Sequence, residues 1–257
     1  MGENFEQGQS KARRPVIKEA LNESMVHKYS GKYAERWKKS NDEDYYNEEW
    51  EQNAASIFEQ LIEDNFLPRK EVAILSPTAN TATNEKNIEK ILKKKGIGSK
   101  FFAGDIAKVS PEITDSPDQI PFARMDAYTL PFKDDQFNLI LDKKGAIWQL
   151  AYKLYKSDVY NQEDGKKLLV TLLDEYFRVL KDDGLVVIDS MESLYVPGKE
   201  DQKVKRQQED STLTYLKWAM EKNPELKEEI GRKYSISQLG GEPYILAAIR
   251  RKVQTVH

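Results

Sequence analysis

The chain contains no cysteine and only two histidines, His27 and His257. The absence of cysteine excludes disulfide bonds, thiolate metal sites and a cysteine nucleophile, and it is typical of an intracellular protein. A histidine-rich metal site and a Ser-His-Asp triad are disfavoured because the chain has so few histidines. We therefore expect no bound metal.

The sequence also lacks a surplus of one charge and a long apolar run. Lys and Arg number 40 and Asp and Glu number 43, so the formal net charge is −3. A nucleic-acid partner, which would favour a basic surplus, is not expected. No apolar run approaches the roughly 18 residues of a membrane span, and residues 1–14 lack the apolar core of a signal peptide. These absences predict a cytoplasmic protein with no membrane partner.

The composition that is present fits one α/β domain with an appended arm. The chain has 257 residues, of which 39% are hydrophobic. Residues 1–15 are polar and are predicted to form a disordered tail. Residues 16–47 are predicted to form a helical arm or lid, because three aromatic residues recur there at four-residue steps on one helix face. Residues 48–257 are predicted to form the domain and to begin with an amphipathic helix.

Short apolar runs alternate with amphipathic segments through this domain. The runs predict buried strands at 71–75, 100–104, a short segment from Phe122, 137–141 and 185–189. The amphipathic segments predict helices at 84–95, 146–155, 166–181, 211–220 and from 223. Asn84 is a plausible N-cap for the first of these helices.

The end of the chain predicts an antiparallel hairpin, because two extended runs flank Gly240-Gly241. Together with the alternation before it, this predicts a doubly wound, mostly parallel, seven-stranded Rossmann-like sheet covered by helices on both faces. The hairpin would supply an antiparallel edge. Ligands of such sheets bind at the carboxyl ends of the strands, where the loop from Ser76, Asp105 and Asp126-Ala127 are expected.

The order of these elements, and several segments, resemble the class I S-adenosylmethionine-dependent methyltransferases. Residues 102–106, Phe-Ala-Gly-Asp-Ile, resemble the second strand of that family. Residues 125–137, Met-Asp-Ala-Tyr-Thr-Leu-Pro-Phe-Lys-Asp-Asp-Gln-Phe, resemble its segment D-A-x-x-L-P-F-x-D-x-x-F, which is the most specific match. Residues 176–184 resemble the element before its fifth strand, although Asp182-Asp183-Gly184 stands where the family usually has Pro-Gly-Gly. The resemblance covers about residues 48 to 250.

This resemblance implies S-adenosylmethionine as the cofactor. Asp105, with Ile106 beside it, would bind the ribose hydroxyls, a role suited to a carboxylate. Asp126 would bind the adenine amino group, and the backbone N–H of Ala127 would bind a ring nitrogen. Ser76 would lie in the loop that faces the methionine end of the cofactor.

Two weaker likenesses are to protein-lysine and thiopurine methyltransferase relatives. Residues 141–146 resemble their D-K-G or D-R-G segment, which implies that Asp142 lies beside the cofactor and the substrate. A solvated charge run, Asp142 to Lys144, is the alternative interpretation. Residues 33–37 resemble the aromatic arm before the domain, which implies that Tyr33, Arg36 and Trp37 cover the cofactor.

The loop after the first strand departs from the family. Where the family has D-x-G-x-G-x-G, residues 75–83 read Leu-Ser-Pro-Thr-Ala-Asn-Thr-Ala-Thr, without glycine. Glycine lets the backbone approach a ligand closely, whereas small residues such as Ala79 and Ala82 reach positive φ only at a cost. Pro77 removes one backbone donor. We therefore expect an intact adenosine half and an altered methionine half of the cofactor site.

Three functions remain open from the sequence. The first is a methyltransferase acting on a small molecule or a protein side chain. The second is a catalytically degenerate protein of the same fold, which serves as a binding or scaffold subunit for a protein partner. The third is binding of another adenine nucleotide. Methyl transfer mainly needs alignment of donor and acceptor, so no catalytic residue can be named from residue type.

Overall fold

The computed structural model describes residues 58–79, 82–105, 120–142, 145–156, 162–188, 212–239 and 246–252. The predicted tail and arm, with Tyr33, Arg36 and Trp37, lie outside these residues. Ile106 and the two lysines after Asp142 lie outside them as well. The predicted boundaries at residues 15 and 47 therefore remain predictions.

Seven strands form one sheet in the described part of the chain. They are β1 (Glu71–Ser76), β2 (Gly98–Asp105), β3 (Phe122–Arg124), β4 (Phe137–Asp142), β5 (Leu180–Ile188), β6 (Tyr234–Leu239) and β7 (Leu246–Arg251). Their order is β3-β2-β1-β4-β5-β7-β6. The first five strands pair in parallel, and β7 is antiparallel to both β5 and β6. The prediction of a mostly parallel, seven-stranded sheet with a C-terminal hairpin is confirmed.

The hairpin supplies an antiparallel edge of the sheet, as expected. The antiparallel strand β7 lies between β5 and β6, so it is second from the edge and β6 forms the edge itself. The reason is the apolar sequence of β7, in which Ala247, Ala248 and Ile249 are fully buried. In strand β6, Ser235, Ser237 and Gln238 are exposed, as expected for an edge.

Six helices cover the described sheet. They are α1 (residues 58–63), α2 (Thr83–Lys94), α3 (Ala146–Lys156), α4 (Gln162–Val179), α5 (Thr212–Lys222) and α6 (Pro224–Lys233). Neighbouring strand residues point to opposite faces, so Leu139 and Leu141 pack with α1 and α2, whereas Ile140 packs with α3, α4 and α5. The central strands β1 and β4 are mainly apolar because both of their faces are buried.

Helix α2 begins one residue earlier than its sequence pattern indicates. Its N-cap is Ala82, so the prediction of Asn84 as the N-cap is wrong. Ala82 has φ 56° and ψ 21°, in the left-handed region that costs a non-glycine residue about 1–2 kcal/mol. Its methyl group is fully buried in the core between α2 and the sheet, which offsets part of this cost. A residue of this loop thus adopts the conformation that glycine would adopt cheaply.

The order of the strands fixes where a ligand can bind. Strand β1 lies at the centre, with β2 and β3 on one side and β4 and β5 on the other. The chain reverses its direction of winding between β1 and β4, and doubly wound sheets bind ligands in the crevice at that point. Ser76, Asp105 and Asp142 are the last residues of β1, β2 and β4.

Candidate functional site

Asp105 and Asp126 lie at the carboxyl ends of two adjacent strands. Asp105 pairs with Arg124 in the β2–β3 register, and the backbone N–H of Met125 donates to the carbonyl oxygen of Asp105 at 3.0 Å. Asp126 follows directly, so one backbone hydrogen bond ties the two carboxyl-bearing segments together. Both residues are half-buried. The structure thus brings together the two residues that the sequence assigned to ribose and adenine.

A tight turn holds the Asp126 carboxylate. Its Oδ1 accepts a hydrogen bond from the N–H of Tyr128 at 3.0 Å, and its carbonyl oxygen accepts one from the N–H of Thr129 at 3.0 Å. Burial raises the pKa of Asp126, while the Tyr128 hydrogen bond opposes that shift. No hydrogen bond to Oδ2 occurs within the described ranges. Among the described residues, one carboxylate oxygen of Asp126 thus has no donor, and Ala127 is buried beside it.

Asp142 has a different environment from the other two carboxylates. It is fully buried, and it accepts hydrogen bonds from Gly145 N at 3.0 Å, Ile147 N at 3.3 Å and the Tyr176 hydroxyl at 2.6 Å. Burial raises the pKa of Asp142 to about 6 against the opposing effect of these donors. Burial and the nearby carboxylate raise the pKa of Tyr176 well above its ordinary value. These hydrogen bonds of Asp142 join β4 to the start of α3 and to α4.

The loops after β1 and β4 touch at Gly145. A Cβ atom at this residue would lie 2.1 Å from Thr78 Oγ1 and 2.6 Å from Asp142 Oδ1. Thr78 Oγ1 is buried and has no hydrogen-bond partner in the described structure. Gly145 is therefore required for the close approach of the two loops at the point where the sheet changes its winding.

Gly145→Ala is expected to lower the free energy of unfolding by about 1–3 kcal/mol, the usual cost of overpacking. Urea denaturation would measure it. Gly231→Ala is the matched control, because nothing lies within 4 Å of its added methyl group in helix α6. That control should be neutral or stabilising by up to about 1 kcal/mol. Equal stability of the Gly145→Ala protein and the wild type would contradict the close approach.

A buried polar pair that the sequence did not suggest joins the end of β1 to the first turn of α2. Ser76 is buried, and its hydroxyl donates to Glu85 Oε1 at 2.6 Å, with the carbonyl oxygen of Leu141 at 3.4 Å. Glu85 lies in the first turn of α2 and is also buried. The side chain of Ser76 is therefore engaged inside the protein. The family has an acidic residue at the end of its first strand. In this chain the carboxyl group near the end of β1 is that of Glu85, which belongs to α2.

These features allow a test of whether the implied cofactor fits. On the adenosine side, Asp105, Asp126 and Ala127 offer the expected acceptors and donor at adjacent strand ends. On the methionine side, Ala82 adopts the left-handed conformation, and Gly145 allows the loops after β1 and β4 to approach closely. Glycines would provide both properties in the first loop of the family, and this chain has no glycine in that loop. The residues present fit S-adenosylmethionine.

The fold is found in solved structures, although no family model and no curated protein sequence matches the chain. A Methanococcus maripaludis protein, assigned provisionally as an S-adenosyl-L-methionine-dependent methyltransferase, has a TM-score of 0.54 at 15% identity. The match covers 89% of this chain and 96% of that one. A Thermotoga maritima S-adenosylmethionine-dependent methyltransferase, for which histamine is suggested as acceptor, matches at 15% identity over 88% of this chain and 98% of its own. Its TM-score of 0.42 is too low to support an inference.

The chain therefore has a class I S-adenosylmethionine-dependent methyltransferase-like fold, as its sequence resemblance predicted. An identity this low shows the fold alone. Within the described residues, no helix could span a membrane and no group of three or more His, Cys, Asp or Glu side chains is arranged to hold a metal ion.

Proposed function

We propose that this protein is an S-adenosylmethionine-dependent methyltransferase that acts on a small molecule or a protein side chain in the cytoplasm. The observation that carries the proposal is the pairing of Asp105 and Asp126 at adjacent strand ends through the Met125–Asp105 backbone hydrogen bond. Asp105 accepts hydrogen bonds from the ribose hydroxyls. Asp126 Oδ2 accepts from the adenine amino group, and the Ala127 N–H donates to the ring.

The residues of the chain contribute by binding and orientation. When bound, S-adenosylmethionine supplies a methyl group activated by a positive sulfonium. Alignment of that group with an acceptor provides most of the rate enhancement, so no nucleophilic side chain is required. Asp142 contributes indirectly, because its carboxylate fixes the start of α3 and the Gly145 backbone beside the loop of β1.

A specific observation weighs against the adenine nucleotide alternative. Helix N-termini that follow the first strand of such sheets receive phosphate groups. Here Glu85 lies in the first turn of α2 next to Ser76. A carboxylate at that position disfavours a polyphosphate, which carries several negative charges, more than a methionine moiety, whose single carboxylate is balanced by an amino group and a sulfonium. We therefore favour the methyl donor over a nucleotide.

Calorimetry of the purified protein with S-adenosylmethionine and S-adenosylhomocysteine tests the proposal. Both ligands should bind, and Asp105→Ala should weaken both by roughly 1–3 kcal/mol, the cost of losing charged hydrogen bonds. Asp183→Ala is the control, because Asp183 is an exposed residue in the first half of β5. It should leave both affinities unchanged.

Three results would count against the proposal or a part of it. The absence of binding at millimolar ligand would sink the enzyme hypothesis and favour the scaffold alternative. An unchanged affinity of the Asp105→Ala protein would refute the ribose role. Tighter binding of adenosine triphosphate than of S-adenosylmethionine would instead favour the nucleotide alternative.

A further inference from the structure

Glu175 and Arg178 form a two-point ion pair on one face of α4. Arg178 Nε donates to Glu175 Oε2 at 2.8 Å, and Arg178 Nη2 donates to Glu175 Oε1 at 2.7 Å. The side chain of Arg178 is 32% exposed and that of Glu175 is 15% exposed. Solvent therefore screens this ion pair less than it screens a fully exposed pair. The hydrogen bonds from Arg178 to Glu175 raise the pKa of Arg178, so Arg178 stays charged at any relevant pH.

The same pair binds the backbone of the turn at residues 130–132. The N–H of Leu130 donates to Glu175 Oε1 at 2.7 Å. Arg178 donates to the carbonyl oxygens of Leu130 at 3.1 Å and Phe132 at 2.9 Å. Arg178 also donates to Asp134 at 2.7 Å. One ion pair thus satisfies three backbone groups within three residues, which an unpaired loop would leave to water.

This turn is continuous with the carboxylate of the candidate site. Leu130 is four residues after Asp126, and the bonds of Tyr128 N and Thr129 N to Asp126 fix the backbone between them. On the other side, the ring of Phe132 packs edge-on against Phe137, with ring centroids 4.9 Å apart. Residues 126–132 are therefore held at both ends, and α4 supplies the polar half of that support.

Arginine is specifically suited to this position. Its planar guanidinium carries five donors in a fixed fork, so it can bind a carboxylate and two carbonyl oxygens at once. Lysine carries the same charge on a single ammonium group and cannot reproduce that geometry. The arrangement therefore depends on the shape of the guanidinium as well as on its charge.

We propose that Glu175 and Arg178 are positioning residues for adenine recognition. They hold residues 126–132 so that Asp126 Oδ2 and the Ala127 N–H present a preformed edge that selects adenine over a base with an oxo group in place of the amino group. The inference rests on the proposed function and deepens it, because it names the residues that set the base selectivity of the same site.

The test compares two ligands that differ only in the base. S-adenosylhomocysteine and its deaminated counterpart, S-inosylhomocysteine, are titrated by calorimetry into the wild type, Arg178→Lys and Glu175→Ala. The wild type should bind the adenine ligand at least about tenfold more tightly, since one base hydrogen bond is worth about that much. In both variants the adenine affinity should fall by about tenfold or more, and the ratio of the two affinities should approach one.

Asp174→Ala is the matched control, because Asp174 precedes Glu175 on α4 but binds Lys233 Nζ, at 2.9 Å, and the Tyr234 hydroxyl instead. It should leave the ratio unchanged. Glu175→Gln keeps an acceptor for the Leu130 N–H and removes the charge. It should fold even where Glu175→Ala does not, and its ratio should be intermediate.

The outcomes separate the two levels of the proposal. If the wild type binds neither ligand, the proposed function fails and this inference fails with it. If the wild type binds and discriminates, but Arg178→Lys and Glu175→Gln keep its ratio, the inference fails and the proposed function stands. An equal loss of ratio in Asp174→Ala would also overturn it, because general loosening of α4 would then explain the effect.

Discussion

Replacing Asp142 with alanine is expected to lower the free energy of unfolding at pH 7 by roughly 3–4 kcal/mol. The substitution leaves the N–H groups of Gly145 and Ile147 and the hydroxyl of Tyr176 without their acceptor. These groups are buried, and an unsatisfied buried donor costs about 1–3 kcal/mol. Removal of the costly buried charge offsets part of the sum. Urea denaturation, with the midpoint and the slope reported separately, measures the change.

Two variants control this experiment. Asp183→Ala removes an exposed carboxylate and should stay within about 0.5 kcal/mol of the wild type. Tyr176→Phe removes one donor and leaves the two backbone bonds to Asp142, so its loss should be smaller than that of Asp142→Ala. A loss below about 1 kcal/mol for Asp142→Ala would mean that the inward carboxylate does not fix α3 and α4.

The sheet could be predicted because its signal is local. Strands β1 and β4 and the second half of β5 are largely buried, and each of these segments contains a short apolar run. Strand β3 is only three residues long and mostly exposed, so its limits could not be read from hydrophobicity. The place of β7 inside the sheet could not be read either, because a hairpin pattern does not say which of its strands joins the sheet.

The candidate site could be predicted only in part. Asp105 and Asp126 follow strands, and position along the chain locates them. The roles of Glu85, Glu175 and Tyr176 depend on partners brought close by folding: Tyr176 is 34 residues from Asp142, and Glu175 is 45 from Leu130. Periodicity describes neighbours on one element, so it places these residues on helices without showing what they bind.

Asp142 and Ala82 show two different reasons for such limits. A carboxylate after a strand looks like a ligand-facing group, and only the tertiary structure shows the donors that surround Asp142. Ala82 has low intrinsic preference for positive φ, and burial of its methyl group offsets part of the cost of that conformation. Intrinsic backbone preference is a weak guide to conformation wherever the free energy of packing is similar to the cost of the disfavoured conformation.

The buried carboxylate also predicts an unusual dependence of stability on pH. From about pH 3 to about pH 7, the wild type should lose up to about 3 kcal/mol of stability relative to Asp142→Asn. The pKa of Asp142 is about 6 in the folded protein against an ordinary 3.8. Between these values the folded state binds more protons than the unfolded state, so raising the pH favours unfolding. At about 1.4 kcal/mol per pKa unit, the difference corresponds to roughly 3 kcal/mol.

The comparison with Asp142→Asn isolates this carboxyl group, because every other titrating residue is shared by the two proteins. Denaturation of both at several pH values gives the difference in unfolding free energy, which should favour the wild type most below about pH 4 and level off above about pH 7. Tyr176 does not titrate in this range, because burial and the neighbouring carboxylate raise its pKa. A difference that is flat, or that favours the wild type more as pH rises, would show that Asp142 is ionised at little cost, and hence that water or a ligand group reaches it.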